Sequence, residues 1–113
     1  IELDADSVAE AERAAPPGTR FVQGAVEEIL AAHLPADLVI LNPPRAGVAP
    51  EVVEALLAAP PARIIYVSCD PATLARDLKR LLAAFELRHL RCFDLFPQTA
   101  HVESVVELSL RTS

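Results

Sequence analysis

The stretch Ile64-Ile65-Tyr66-Val67-Ser68-Cys69-Asp70-Pro71 reads as an apolar strand that ends in a cysteine and turns at once into a helix. An open α/β sheet keeps its ligands beyond the carboxyl ends of its strands. A helix N-terminus carries partial positive charge, which favours a thiolate. Cys69 is thus placed for nucleophilic work, although a free cysteine also serves as a small apolar residue closing a strand. Both readings stay open on this stretch alone.

Three further loops carry residues of the same promise. Asn42-Pro43-Pro44-Arg45-Ala46-Gly47 follows the apolar run Leu38–Leu41. Two prolines remove two backbone donors and stiffen the loop, fixing the Asn42 amide and the Pro44 carbonyl. Arg45 adds a planar fork suited to phosphate or carboxylate. Glu2-Leu3-Asp4 ends what looks like a strand, where a carboxylate can hold ribose hydroxyls or simply cap the next helix. Phe96-Pro97-Gln98-Thr99-Ala100-His101-Val102-Glu103 joins the last two strands. Strand alternation sets His101 and Glu103 on one side, where a carboxylate at the mouth of a dry site can act as a base; a polar hairpin loop is the alternative.

These residues need a scaffold, and the chain supplies one. Its 113 residues suit one small domain, and 52% hydrophobic content suffices for a core. The spacing predicts a strand end at Ile1–Asp4, then a helix over Asp6–Ala15 capped by Asp4 or Asp6 and stopped by Pro16-Pro17-Gly18. A short strand Arg20–Gln23 and a helix Ala25–His33 come next. Leu38–Leu41 reads as a strand buried on both faces. Helix Pro50–Ala59, strand Arg63–Cys69 and a helix capped by Asp70 with Pro71 at its first position complete the alternation. Leu74, Leu78, Leu81 and Leu82 form the apolar stripe of that last helix. Leu87–Phe96 and Ser104–Arg111 are strand-like with no helix between them, which implies an antiparallel pair. The expected fold is a mostly parallel α/β sheet with helices on both sides and a terminal antiparallel hairpin.

Composition excludes several classes. There is no run of 18 apolar residues and no basic-then-apolar leader, so neither a membrane span nor a signal peptide is expected. Cys69 and Cys92 form no CxxC pair and no ligand cluster, so no zinc site or disulfide framework is expected and the compartment reads as cytoplasmic. The net charge of −6 argues against a basic face that grips nucleic acid by itself. The charge is uneven: residues 1–60 hold 3 Lys/Arg against 10 Asp/Glu, and residues 61–113 hold 7 against 6. A polyanion would meet the second half, near Arg76, Lys79, Arg80, Arg88 and Arg91. The chain begins Ile1-Glu2-Leu3-Asp4 and contains no methionine, so it is expected to be a fragment of a longer protein.

Three segments together resemble a known family. Asn-Pro-Pro-Arg-Ala-Gly at 42–47, Tyr-Val-Ser-Cys-Asp-Pro-Ala-Thr-Leu-Ala-Arg-Asp-Leu at 66–78 and Phe-Pro-Gln-Thr-x-His-x-Glu at 96–103 are similar, in order and spacing, to the catalytic half of the RNA uracil-5-methyltransferases. The resemblance covers nearly the whole of residues 1–113. It implies a Rossmann-like class I methyltransferase fold and S-adenosyl-L-methionine as cofactor. The implied product is 5-methyluridine in ribosomal or transfer RNA, with ribosomal RNA expected first.

The resemblance also assigns roles. Cys69 would be the nucleophile that adds to uracil C6, since C5 is otherwise too poor a nucleophile to take a methyl group. Glu103 would be the base that removes the C5 proton. Glu2 would hold the cofactor ribose, and Asn42 would stand near cofactor and base. Pro44, Arg45 and His101 would face the substrate. Cys92 matches no catalytic position and reads as core.

The chain departs from the family pattern in ways that generate expectations. Asn42 stands where the family usually has Asp, so a carboxylate is lost, and Gly24-Ala25 stands where many relatives have Gly-Asp. The first strand and glycine-rich loop that precede Glu2 in the family are missing from this piece. So are the small RNA-binding barrel and any cysteines for an iron–sulfur cluster, which would lie upstream. The missing strand belongs at the sheet centre, between the strands ending at Asp4 and Asn42. Its absence should leave a gap or promote pairing with another chain, giving a dimer, and should leave the isolated fragment inactive. Two other readings are a non-catalytic RNA-binding relative and an amino-group methyltransferase using Asn-Pro-Pro.

Overall fold

The computed structural model describes residues 1–93 and 103–112. Its elements, in chain order, are α1 (Ala5–Ala14), α2 (Val26–Ile29), a 3-10 turn (Leu30–His33), β1 (Leu38–Leu41), α3 (Pro50–Ala58), β2 (Arg63–Ser68), α4 (Pro71–Leu81), β3 (Phe85–Phe93) and β4 (Glu103–Leu110). Four strands form one sheet in the order β1-β2-β4-β3. The β1–β2 pair is parallel, whereas β2–β4 and β3–β4 are antiparallel. The sheet is therefore mixed, not mostly parallel as expected. The hairpin is integral to it, because β4 inserts between β2 and β3 rather than adding at the margin.

Local chemistry explains the helix starts. Asp4, in extended conformation, caps α1: its Oδ2 accepts from the Ser7 amide at 3.3 Å and the Ser7 hydroxyl at 2.8 Å. The Ser7 hydroxyl, followed by backbone donors, holds the Asp4 carboxyl below its ordinary value. Asp70 caps α4 in the same way, accepting from the Ala72 and Thr73 amides at 2.9 and 3.3 Å, with Pro71 at the first turn and Lys79 and Arg80 in the last.

The core lies on one face of the sheet. Ile64, Tyr66, Val106 and Leu108 are fully buried, and the register pairs Ile64 with Leu108 and Tyr66 with Val106. Val52, Val53 and Leu56 of α3, Leu74 and Leu81 of α4, and Leu30 pack onto them. The opposite face is not covered in the same way. Ile40 is 63% exposed and Leu38 41%, while Ile65 and Val67 are half-buried. The expectation that β1 is buried on both faces, with helices on both sides, is thus corrected. Among the described residues β1 ends the sheet, and the exposure of Leu38 and Ile40 shows that water reaches that face.

The amino-terminal segment is less regular than its sequence suggests. Ile1–Asp4 and Arg20–Gln23 make only one bridge, Glu2 to Gln23, supported by Glu2 N–H to Val22 O at 3.0 Å and Gly24 N–H to Glu2 O at 2.9 Å. Capping of α1 at Asp4 leaves too little extended chain for a ladder. The predicted helix Ala25–His33 divides into α2 and the 3-10 turn, and Ala25 offers no side-chain cap. Cys92 lies in β3 as expected but is exposed, not core, with its Sγ 3.6 Å from the Ser104 hydroxyl. β3 has one neighbour strand, and of its nine residues only Phe85 is buried. The predicted strand Leu87–Phe96 starts earlier, at Phe85, and its residues 94–96 lie outside the described residues.

Candidate active site

The parallel and antiparallel pairings bring the candidate loops to one edge. Leu41 registers with Tyr66, so Asn42 leaves β1 beside the carboxyl-terminal half of β2. On the antiparallel side, the last registered pair of β2 and β4 is Ser68 with Ser104. One residue further along β2 is Cys69, and one residue earlier in β4 is Glu103. The expected nucleophile and base therefore emerge as neighbours from adjacent strands, and both are half-buried.

Cys69 is held by what flanks it. The Ser68 hydroxyl is buried, donates to Asp70 O at 2.9 Å and accepts from the Asp70 amide at 3.1 Å. Asp70 in turn is the α4 cap. The cysteine thus occupies a single-residue turn pinned on both sides, immediately before the positive end of an eleven-residue helix.

Glu2 and Asn42 meet around a different feature. An open cavity of about 760 Å³ lies between the Glu2 segment, bridged to Gln23, and β1. Glu2, Gly24, Leu41, Asn42 and Pro44 line it. The Glu2 carboxylate accepts from the Asp4 amide through Oε1 at 3.2 Å, and Oε2 has no hydrogen bond among the described residues. A carboxylate and an amide at the rim of an apolar cavity of this size suit a nucleoside with hydroxyl groups. Cys69 and Glu103 do not line this cavity. Arg45 is exposed on the same loop, and His101 lies outside the described residues.

A residue of the site's supporting structure was not foreseen. Asp77 of α4 is completely buried. It accepts the Tyr66 hydroxyl at 2.5 Å and the Val48 amide at 3.0 Å, and Arg76 pairs with it at 3.1 Å. Burial, with the Asp77 bond and charge, pushes the Tyr66 phenol far above its ordinary value. The signal was present: Asp77 falls between Leu74, Leu78 and Leu81, so a charge stands on the apolar stripe. Arg76, expected among the groups facing a polyanion, is exposed and pairs with this buried carboxylate.

Among the described residues no helix is long and apolar enough to cross a membrane, and no cluster of His, Cys, Asp or Glu could hold a metal. Fold and edge define an α/β domain in which Cys69 and Glu103 follow one registered strand pair, with a separate open cavity between the Glu2 segment and β1. Residues 7–111 match the family model described as tRNA (Uracil-5-)-methyltransferase, and the chain belongs to that family. It is 56% identical over 90 residues to an uncharacterized RNA methyltransferase of Gloeobacter violaceus, covering 79% of this chain and 20% of that protein. It is 35% identical to a similar protein of Bacillus anthracis, covering 97% and 25%. Among solved structures it resembles the Pyrococcus abyssi tRNA (uracil-54, C5)-methyltransferase in complex with S-adenosyl-L-homocysteine. That match has a TM-score of 0.60 and 46% identity, covering 64% of this chain and 18% of the other. The chain thus spans about a sixth to a quarter of the length of the curated relatives it matches.

Proposed function

We propose that this chain is the carboxyl-terminal part of the catalytic domain of an RNA uracil-5-methyltransferase that works through a covalent cysteine adduct. The observation that carries the reading is the juxtaposition of Cys69 and Glu103 one step beyond the Ser68–Ser104 pair. The Cys69 thiolate adds to uracil C6, forming a C–S bond and placing the electron pair on C5. When bound, S-adenosyl-L-methionine would supply the electrophilic methyl group for that carbon, its S–CH3 bond breaking to leave S-adenosyl-L-homocysteine. Glu103 then accepts the C5 proton, and the electrons left behind reform the C5–C6 double bond and expel the Cys69 thiolate. Glu2, which lines the cavity, suits the ribose hydroxyls of the cofactor, and Asn42 its neighbouring polar groups. Pro44, Arg45 and His101 complete the substrate side of the proposal.

The cavity between Glu2 and β1, together with exposed Leu38 and Ile40, supports the reading that the longer protein lays a further strand there. A Rossmann-like sheet with that strand at its centre follows, and in the isolated chain the same edge would support a dimer. The RNA-binding module and any iron–sulfur cluster belong upstream, and the location we propose is cytoplasmic. Ribosomal RNA is the expected substrate class, while the family's description and the P. abyssi neighbour speak for transfer RNA. The two are separate arms of the test.

The test uses the full-length protein with cofactor and either RNA carrying 5-fluorouridine. Fluorine cannot leave as a proton, so the adduct should persist and shift the protein on a denaturing gel. Cys69→Ala should abolish the band, and Glu103→Gln should let ordinary uridine accumulate as adduct. No band with either RNA, or an undiminished band from Cys69→Ala, would sink the mechanism.

A further inference from the structure

We propose that Asp77 is a positioning residue whose buried carboxylate locks the loop Asn42–Gly47 to the strand and helix that carry Cys69. The inference rests on the functional reading above, since it concerns how that site is kept in register.

One side chain ties β2, the loop after β1 and α4 together. Asp77 Oδ2 accepts the Tyr66 hydroxyl at 2.5 Å, three residues before Cys69 on β2, and the Val48 amide at 3.0 Å, just past the loop. Its Oδ1 accepts Arg76 Nε at 3.2 Å and Nη2 at 3.1 Å. The same Nη2 donates to Ala46 O at 2.6 Å, inside the loop. Asp77 itself rides on α4, the helix whose cap follows Cys69 directly. A carboxylate in a core carries a large desolvation cost, which only a full set of donors offsets. Here two lone-pair faces are filled by the loop, the strand and the helix at once.

The loop is built to be held this way. Gly47 N–H donates to Pro44 O at 2.9 Å, closing a turn stiffened by two prolines. Gly47 has φ of +80°, and a Cβ there would lie 2.5 Å from both Asp77 Oδ2 and Arg76 Nη2. Only glycine lets the backbone lie against the carboxylate and also adopt this conformation. Asn42, Pro44 and Arg45 thereby inherit a fixed position relative to Cys69. An ordinary apolar contact would hold α4 on the sheet equally well. It would not fix the loop along the directions that hydrogen bonds do.

The experiment compares full-length variants in single-turnover adduct formation with saturating 5-fluorouridine RNA and cofactor, at matched folded fraction. Asp77→Asn, which keeps the shape but loses the charge, should slow adduct formation by about 10- to 100-fold, the scale expected for a misplacement near 1 Å. A companion RNA titration should show a raised half-saturation concentration as well, because Pro44 and Arg45 ride on the same loop. Leu56→Ala, buried in the same core but outside this network, should leave the rate per folded molecule unchanged. Arg76→Lys, an exposed change that keeps the charge and loses the fork, should slow the step in the same direction and keeps the question answerable without a stable Asp77 variant. Equal slowing by Leu56→Ala, or a wild-type rate in Arg76→Lys, overturns the positioning role. An absence of adduct in the unaltered protein overturns the functional reading and the inference with it.

Discussion

The two sides of this sheet are built to different standards. On the side of β2, α4 and β4, a continuous ladder runs from Arg63–Ser109 to Ser68–Ser104, and every second residue on its inner face is buried. On the side of β1, four residues pair on one edge only, and the Glu2 segment beyond them contributes a single bridge. The first side presents the cysteine and glutamate; the second presents the cavity. In the mechanism proposed above, nucleophile and base would thus stand on adjacent, fully paired strands, where small errors in distance are costly. The residues suited to the cofactor sit on an open margin, which further chain can complete.

The sharpest way to break this contrast is to weaken each side in this chain. Leu56→Ala should lower unfolding free energy by about 2–5 kcal/mol, because a fully buried side chain leaves a cavity. Ile40→Ala should stay within about 0.5 kcal/mol, as for other exposed positions. Chemical denaturation measures both, and equal losses would show that β1 is as well covered as β2.

Next in size is the tie between Tyr66 and Asp77. Tyr66→Phe removes one donor from a buried carboxylate and should cost about 1–3 kcal/mol. Tyr66 is the chain's only tyrosine, so its ultraviolet absorption reports the bond directly. Its folded value is raised above the ordinary 10.0, so the bond's contribution is fully present below pH 10.0 and is lost as pH rises toward the folded value. Phenolate absorption should therefore be absent in the folded chain at pH 10.0 and emerge with unfolding. A phenol half-ionised at that pH in the folded chain would contradict the buried contact.

Smaller effects come from the helix caps. Asp70→Ala should cost about 0.5–2 kcal/mol, since two amides lose their acceptor beside Cys69. The exposed cap at Asp4 should matter least. Its folded value lies below the ordinary 3.8, so its contribution is present above pH 3.8 and fades as pH falls through the folded value. Carbon-13 titration of the Asp4 carboxyl in folded and unfolded chain measures it, and identical midpoints would remove the effect.

Much was legible in the residues alone. Asp70-Pro71 announced α4, Asp4 announced α1, and the apolar alternation of residues 104–110 announced β4. Each depends on hydrogen bonds or side-chain periods within a few residues, which a sequence records directly. The candidate residues Cys69, Glu103, Glu2 and Asn42 were also legible, from type and position at strand ends. Other features were not. Leu38–Leu41 has the composition of a strand covered on both faces, yet whether Ile40 meets protein or water depends on which chain lies beside it. Cys92 reads as core but lies on an edge strand, for the same reason. Asp77 stands on the apolar stripe of α4, but what its carboxylate meets depends on Tyr66 and Val48, which converge on it from distant parts of the chain. The pairing of Cys69 with Glu103 was likewise decided by register between strands separated by more than thirty residues. Local hydrogen bonding and side-chain period are written in consecutive residues and fixed these elements in advance. Burial, register and convergence are properties of elements distant in sequence, and only the tertiary structure could decide them.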